Sequence, residues 1–152
     1  MLLLAHRGYH ASVPGNTMAA FAAALALGVD GIETDVRLSA DGEAVIVHDR
    51  VTPRERTVAE RTRREIEGDV GRPVPTLAEV LEAFPEVLWN VEIKTSEALP
   101  VTLAVLDRYV GKRRLFVTSF WHDVVEAIAR HSAVDCGLLL AHRPLDVGAI
   151  IA

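Results

Sequence analysis

Charged and titratable residues end the hydrophobic runs of this chain in a repeated way. In LLLAHRG (2–8) apolar residues lead into His6 and Arg7 and then a glycine, and in VIVHD (45–49) His48 closes a similar run. In GIETDV (31–36) Glu33 and Asp35 stand two apart, and in WNVEIK (89–94) Asn90, Glu92 and Lys94 do the same. Residues two apart on a strand share a face, so each strand would deliver its polar groups to one side. Isolated buried carboxylates are costly, and several together call for a cation. Glu33, Asp35 and Glu92 suit a hard divalent ion, Mg²⁺ or Ca²⁺, that takes oxygen ligands, whereas zinc would sooner recruit the histidines. With the acids on the metal, His6 and His48 are left for proton transfer. Taken singly, each residue has an ordinary role: a strand-end histidine, a carboxylate paired with arginine, a solvated lysine. The joint placement argues for a site, because each of the first four strands brings a charged or titratable group to the same end.

The elements that must hold these groups alternate. Strands are expected at 2–6, 31–38, 43–49, 87–94, 114–120 and 135–142, and helices at 17–28, 76–84, 100–111 and 123–131. Gly28 stops the first helix, Thr76 and Glu79 have capping-box spacing, and Pro100 opens the third. ADG at 40–42 is a hairpin-like turn signal, and residues 50–75 read as polar and irregular. Strand–helix alternation implies a parallel sheet covered by helices. In such sheets the site forms at the C-terminal ends of the strands, whether the sheet is open or closed into a barrel. No Gly-x-Gly-x-x-Gly follows a strand, so a dinucleotide fold has no fingerprint.

The chain of 152 residues with a net charge of -5 suits one domain and offers no basic surplus for nucleic acid. The basic cluster RERTVAERTRR (54–64) is interleaved with glutamates and reads as a solvated face. Cys136, the single cysteine, lies in an apolar run and reads as a small buried hydrophobe. No segment has signal-peptide character or reaches the roughly 18 apolar residues of a membrane span, so a cytoplasmic protein is expected. His10, His122 and His131 are weaker site candidates, and His142, with Arg143 beside it, is a candidate for facing the substrate.

At this point HRG (6–8), NTMAAFAAALALGVDGIETDV (16–36), DGEAVIVHD (41–49), PTLAEVLE (75–82) and VEIK (91–94) resemble the glycerophosphodiester phosphodiesterases, with SF at 119–120 extending the match. The resemblance implies a (β/α)8 TIM-barrel fold, with about six of eight strands in this chain, and hydrolysis of glycerophosphodiesters to glycerol 3-phosphate and an alcohol. It implies Glu33, Asp35 and Glu92 as metal carboxylates, His6 and His48 as the acid–base pair, and Arg7 as a phosphate contact. Lys94 would lie near metal and phosphate, and Asn16 matches the family's Asn in Pro-Glu-Asn-Thr. The sequence leaves open which histidine is acid and which base. Gly15 stands where the family usually has glutamate, and the family's final two strands have no counterpart. The expectation is therefore one barrel domain over 1–152, C-terminally incomplete or completed by another subunit, with a homo-oligomer among the partners and small soluble diesters as substrates. Rival readings are a lysophospholipase D or sphingomyelinase D-like activity on the same residues, or an inactive remnant that binds a phosphoester or partner protein.

Overall fold

A computed structural model describes residues 1–141. Its strands are β1 (Leu4–His6), β2 (Gly31–Leu38), β3 (Ala44–Ile46), β4 (Leu88–Ile93), β5 (Leu115–Ser119) and β6 (Asp135–Leu138). Its helices are α1 (Met18–Ala26), α2 (Arg63–Val70), α3 (Leu77–Ala83), α4 (Leu99–Leu106) and α5 (His122–His131). β1, β2, β4, β5 and β6 lie side by side in that order, all parallel. This is the parallel, helix-covered sheet that the alternation implied.

Two expectations change. The six strands are present, but β3 runs antiparallel to β2, with Ile46 opposite Val36. It is the return arm of a hairpin whose turn is the Asp41–Gly42 signal, not a member of the parallel run. His48 therefore does not sit at the C-terminal end of a parallel strand. The hairpin carries the chain up past β2 and back down, where Val47 N–H donates to the Asp35 carbonyl at 3.1 Å. The second change concerns 50–75, which holds a short 3₁₀ turn at Val58–Glu60 and the helix α2. A capping box starts α2, with Thr62 and Glu65 exchanging hydrogen bonds. Its single buried anchor, Ile66, packs with Val45, Val58 and Val74 in a small second core.

Alternation in β4 shows how the sheet separates core from site. Trp89, Val91 and Ile93 face the helices and are fully buried, while Asn90 and Glu92 face the other way. Trp89 meets Phe21 of α1 edge-on with ring centroids 5.2 Å apart, a favoured aromatic geometry. β2 follows the same rule, with Ile32 and Val36 in the core and Glu33 and Asp35 opposite.

Arg63 ties α2 to its surroundings. Its guanidinium donates to both carboxylate oxygens of Glu79 on α3, at 2.8 and 2.7 Å, and to the Val74 carbonyl at 2.7 Å. Burial works to raise the Glu79 pKa, but the Arg63 hydrogen bonds and the Thr76 backbone N–H outweigh it and hold the carboxyl below its ordinary value. A depressed folded pKa gives stability that is present above the unfolded value, near 4.5, and lost as pH falls through the folded one. Urea unfolding from pH 7 down to pH 3 should therefore show an acid loss of stability that flattens in Glu79→Gln. An unchanged slope would mean that the pair contributes nothing.

Candidate functional site

HRG is explained by close packing. A Cβ at Gly8 would lie 2.6 Å from the Ala20 carbonyl group of α1, and the residue holds a φ of +77°. Only glycine fits both constraints. Arg7, with φ 59°, shares the left-handed turn, a strained backbone for a non-glycine residue. Two bonds hold it there, because its N–H donates to the Glu33 carbonyl at 2.9 Å and to Glu33 Oε2 at 3.1 Å. The turn swings the Arg7 guanidinium back over the sheet, with Nε 3.1 Å from Asp35 Oδ2.

Strand register assembles the acids. Glu33 lies opposite His6 on β1 and Asn90 on β4, and Asp35 lies opposite Glu92, which lies opposite Thr118 on β5. One oxygen from each of Glu33, Asp35 and Glu92 falls within 4.8 Å of the others. Asp35 is fully buried and Glu92 nearly so, while Glu33 keeps a little solvent contact. Lys94 Nζ stands 2.7 Å from Glu92 Oε1 and 3.2 Å from Asp35 Oδ1.

The residues present fit a divalent cation. Asp35 Oδ1 is buried and, among the described residues, accepts no hydrogen bond, because the Lys94 contact lacks hydrogen-bond alignment. Burial first, and then the Asp35 carboxylate, push the Glu33 pKa up to about 7. A buried oxygen without a donor and an acid too crowded by its neighbours to ionise freely are what an oxygen-liganded cation relieves.

Both histidines reach this cluster. His6 Nε2 is 3.8 Å from Glu33 Oε2, and its side chain is 64% exposed. Burial of its inner edge, helped by the Arg7 charge, lowers its pKa below the usual 6.5. His48 Nδ1 lies 2.8 Å from Asp49 Oδ1, which fixes the ring. With Glu33, Glu92 and Lys94, the two histidines line a cavity of about 380 Å³ whose far wall includes Phe120 and Leu139.

Asn16, a substrate- or phosphate-binding candidate by the resemblance, reaches the site through Asp35. It is 3% exposed. Its amide donates to Asp35 Oδ2 at 2.7 Å, and its carbonyl accepts from Thr34 Oγ1 at 2.9 Å and weakly from Asp35 N–H. It orients Asp35 from behind. Three further residues were missed by sequence reasoning. Arg37 Nε donates to the His48 carbonyl at 2.9 Å, and Thr118 Oγ1 donates to Asn90 Oδ1 at 2.8 Å. Trp121 Nε1 caps the Lys94 carbonyl at 2.9 Å. Arg37 was findable, since it continues the face of Glu33 and Asp35. The pairing of β5 with β4, which brings Thr118 and Trp121 in, left no local signal. His10 lies in the first loop near Arg7, and His122 and His131 end α5 on the surface. His142 and Arg143 lie outside the described residues.

The fold and this cluster define an α/β protein of (β/α)8 barrel type, with a carboxylate centre at the C-terminal edge of its parallel strands. Residues 6–144 match the model of the Glycerophosphoryl diester phosphodiesterase family, and the chain belongs to that family. A relative named glycerophosphodiester phosphodiesterase, from Caldanaerobacter subterraneus, is 36% identical over 91% of this chain and 68% of its own length. The crystal structure of a glycerophosphodiester phosphodiesterase from Thermotoga maritima is 30% identical, with a TM-score of 0.78 over 94% of this chain and 64% of the other. An Oleispira antarctica phosphodiesterase, solved in complex with the product sn-glycerol-3-phosphate, is 24% identical with a TM-score of 0.86 over 99% of this chain and 70% of the other, and supports the fold. The chain spans about half to two-thirds of the length of the relatives it matches. Among the described residues no helix is long and apolar enough to cross a membrane.

Proposed function

We propose that this protein hydrolyses glycerophosphodiesters to glycerol 3-phosphate and an alcohol, by histidine acid–base catalysis at a divalent cation, Mg²⁺ or Ca²⁺. The observation that carries the reading is the triad of carboxylate oxygens within 4.8 Å of one another, flanked by Arg7 and faced by two histidines. Glu33, Asp35 and Glu92 would hold the ion, which supplies charge neutralisation for a diester anion that otherwise repels nucleophiles. Arg7, part-exposed beside Asp35, binds a phosphate oxygen and stabilises the charge that grows on it in the transition state. Lys94 balances the acids and lies within reach of the same anion.

The nucleophile is the glycerol's own 2-hydroxyl, giving a cyclic phosphate that water opens. His6, whose pKa burial and the Arg7 charge lower, takes the hydroxyl proton. His48, its ring turned by Asp49, protonates the departing alkoxide. The pair exchanges roles in the second step, because ring opening is the reverse chemistry with water in place of the alcohol. A single phosphodiesterase barrel domain, of which this chain carries about six strands, and a cytoplasmic location belong to the same reading, the latter supported by the lone thiol Cys136. Phe120 and Leu139 on the cavity wall favour, as a second reading, acylated glycerol substrates in a lysophospholipase D-like reaction.

The test is a matched pair of diesters followed by phosphorus NMR, one with a glycerol arm and one with that arm lacking the 2-hydroxyl. The glycerol diester should be converted to monoester and the deoxy analogue should persist. Equal hydrolysis of both would rule out the internal nucleophile.

A further inference from the structure

Beside the carboxylate cavity lies a second one, of about 290 Å³, and the two share Arg7 and His48 as a common wall. Its other side is built by Gly15, Thr52 and Arg72. A phosphodiester has two arms, and in phosphoryl transfer the attacking and leaving oxygens lie roughly in line across phosphorus. With phosphorus at the seam between Arg7 and His48, the attacking glycerol arm would occupy the carboxylate cavity and the leaving arm would enter the second one. His48, the proposed donor to the leaving oxygen, stands on that seam.

We propose that the groove between Gly15 and Arg72 seats the leaving alcohol, and that Arg72 selects alcohols carrying an anionic group. This rests on the phosphodiesterase reading above. Arg72 is half-buried, and among the described residues its side chain makes one weak hydrogen bond, to the Pro73 carbonyl at 3.4 Å. Burial acts on its guanidinium, lowering the pKa, and among the described residues it forms no ion pair, although Asp49 lines the His48 side of the same groove. A partly desolvated cation with no ion-pair partner is a receptor for an anion. The groove has no Phe, Tyr or Trp in its lining, so it lacks the aromatic faces that hold quaternary ammonium groups. Gly15 lies on its wall, and a Cβ there would stand 3.2 Å from Arg7 Cβ and 3.5 Å from the His10 ring, so a larger residue would crowd both.

Glycerophosphoserine and glycerophosphoethanolamine differ by one carboxylate and serve as the probe. The full chain with a divalent cation should favour the serine diester in kcat/KM by about tenfold, as a charge-assisted hydrogen bond to arginine implies. Arg72→Gln should bring that ratio to about one, and Gly15→Glu, which adds an acid beside Arg7, should lower it as well. Equal rates in the wild type, or a ratio that survives Arg72→Gln, overturn the subsite and leave the phosphodiesterase reading standing. If neither diester is turned over, that reading fails instead. Calorimetric titration of His6→Ala with the same two diesters then decides the subsite alone. Tighter binding of the serine diester, lost when Arg72→Gln is added, supports it, and equal or absent binding overturns it.

Discussion

His48→Ala is expected to lower kcat by roughly 10² to 10⁴ while leaving the chain folded. His48 follows a hairpin arm and its ring bonds only Asp49 among the described residues, so removing it leaves no buried partner unsatisfied. His6→Ala should behave alike, since its ring is mostly exposed and its Glu33 contact is a loose 3.8 Å. Circular dichroism and thermal unfolding should match the wild type within about 0.5 kcal/mol, the ordinary range for surface changes. Full activity in either variant would remove that histidine from the mechanism. A collapse of the fold would make it structural.

Asp35 should respond in the opposite way. It is fully buried and faces Arg7 and Lys94 with one oxygen each, while Asn16 donates to it from behind. Asp35→Asn would leave two cations around a neutral amide, and with the amide oxygen kept on Asn16 its NH2 would face Lys94. Removing one partner of a buried charge cluster costs about 3–5 kcal/mol, so this variant should unfold at markedly lower urea concentration. Glu92→Gln should be milder for the fold, because Lys94 keeps its contact with Asp35, and should instead weaken cation binding by about 10- to 100-fold. Calorimetric titration with Ca²⁺ and Mg²⁺ separates the two effects. A large loss of stability in Glu92→Gln with unchanged cation affinity would make Glu92 a structural residue.

The reactive set was legible because strand geometry is local. A period of two puts Glu33 with Asp35 and Glu92 with Lys94 on shared faces, and a hydrophobic run ending in histidine marks a strand edge. The position of His48 was legible for a partly mistaken reason. The run reads as a parallel strand, whereas a hairpin returns it to the same edge, and only pairing between distant segments distinguishes the two routes. Helix α2 was hidden by its charge, since Ile66 is its one buried residue and there is no apolar stripe to reveal a period. The Thr62–Glu65 capping box was the available signal. The support given by Asn16, Trp121 and Thr118 depends on contacts 18 to 28 residues apart in sequence, which no window along the chain records.

In the proposed reaction, three carboxylates, one arginine and two histidines on this chain cleave a glycerophosphodiester with the help of a divalent cation. The most direct measurement is release of glycerol 3-phosphate from glycerophosphoethanolamine by the purified chain, with Mg²⁺, with Ca²⁺, with chelator, and after the cation is restored. Release is expected with at least one cation, with loss of it in chelator and recovery on re-addition. Release that persists in chelator, or none from folded, cation-loaded protein, would contradict the proposed reaction.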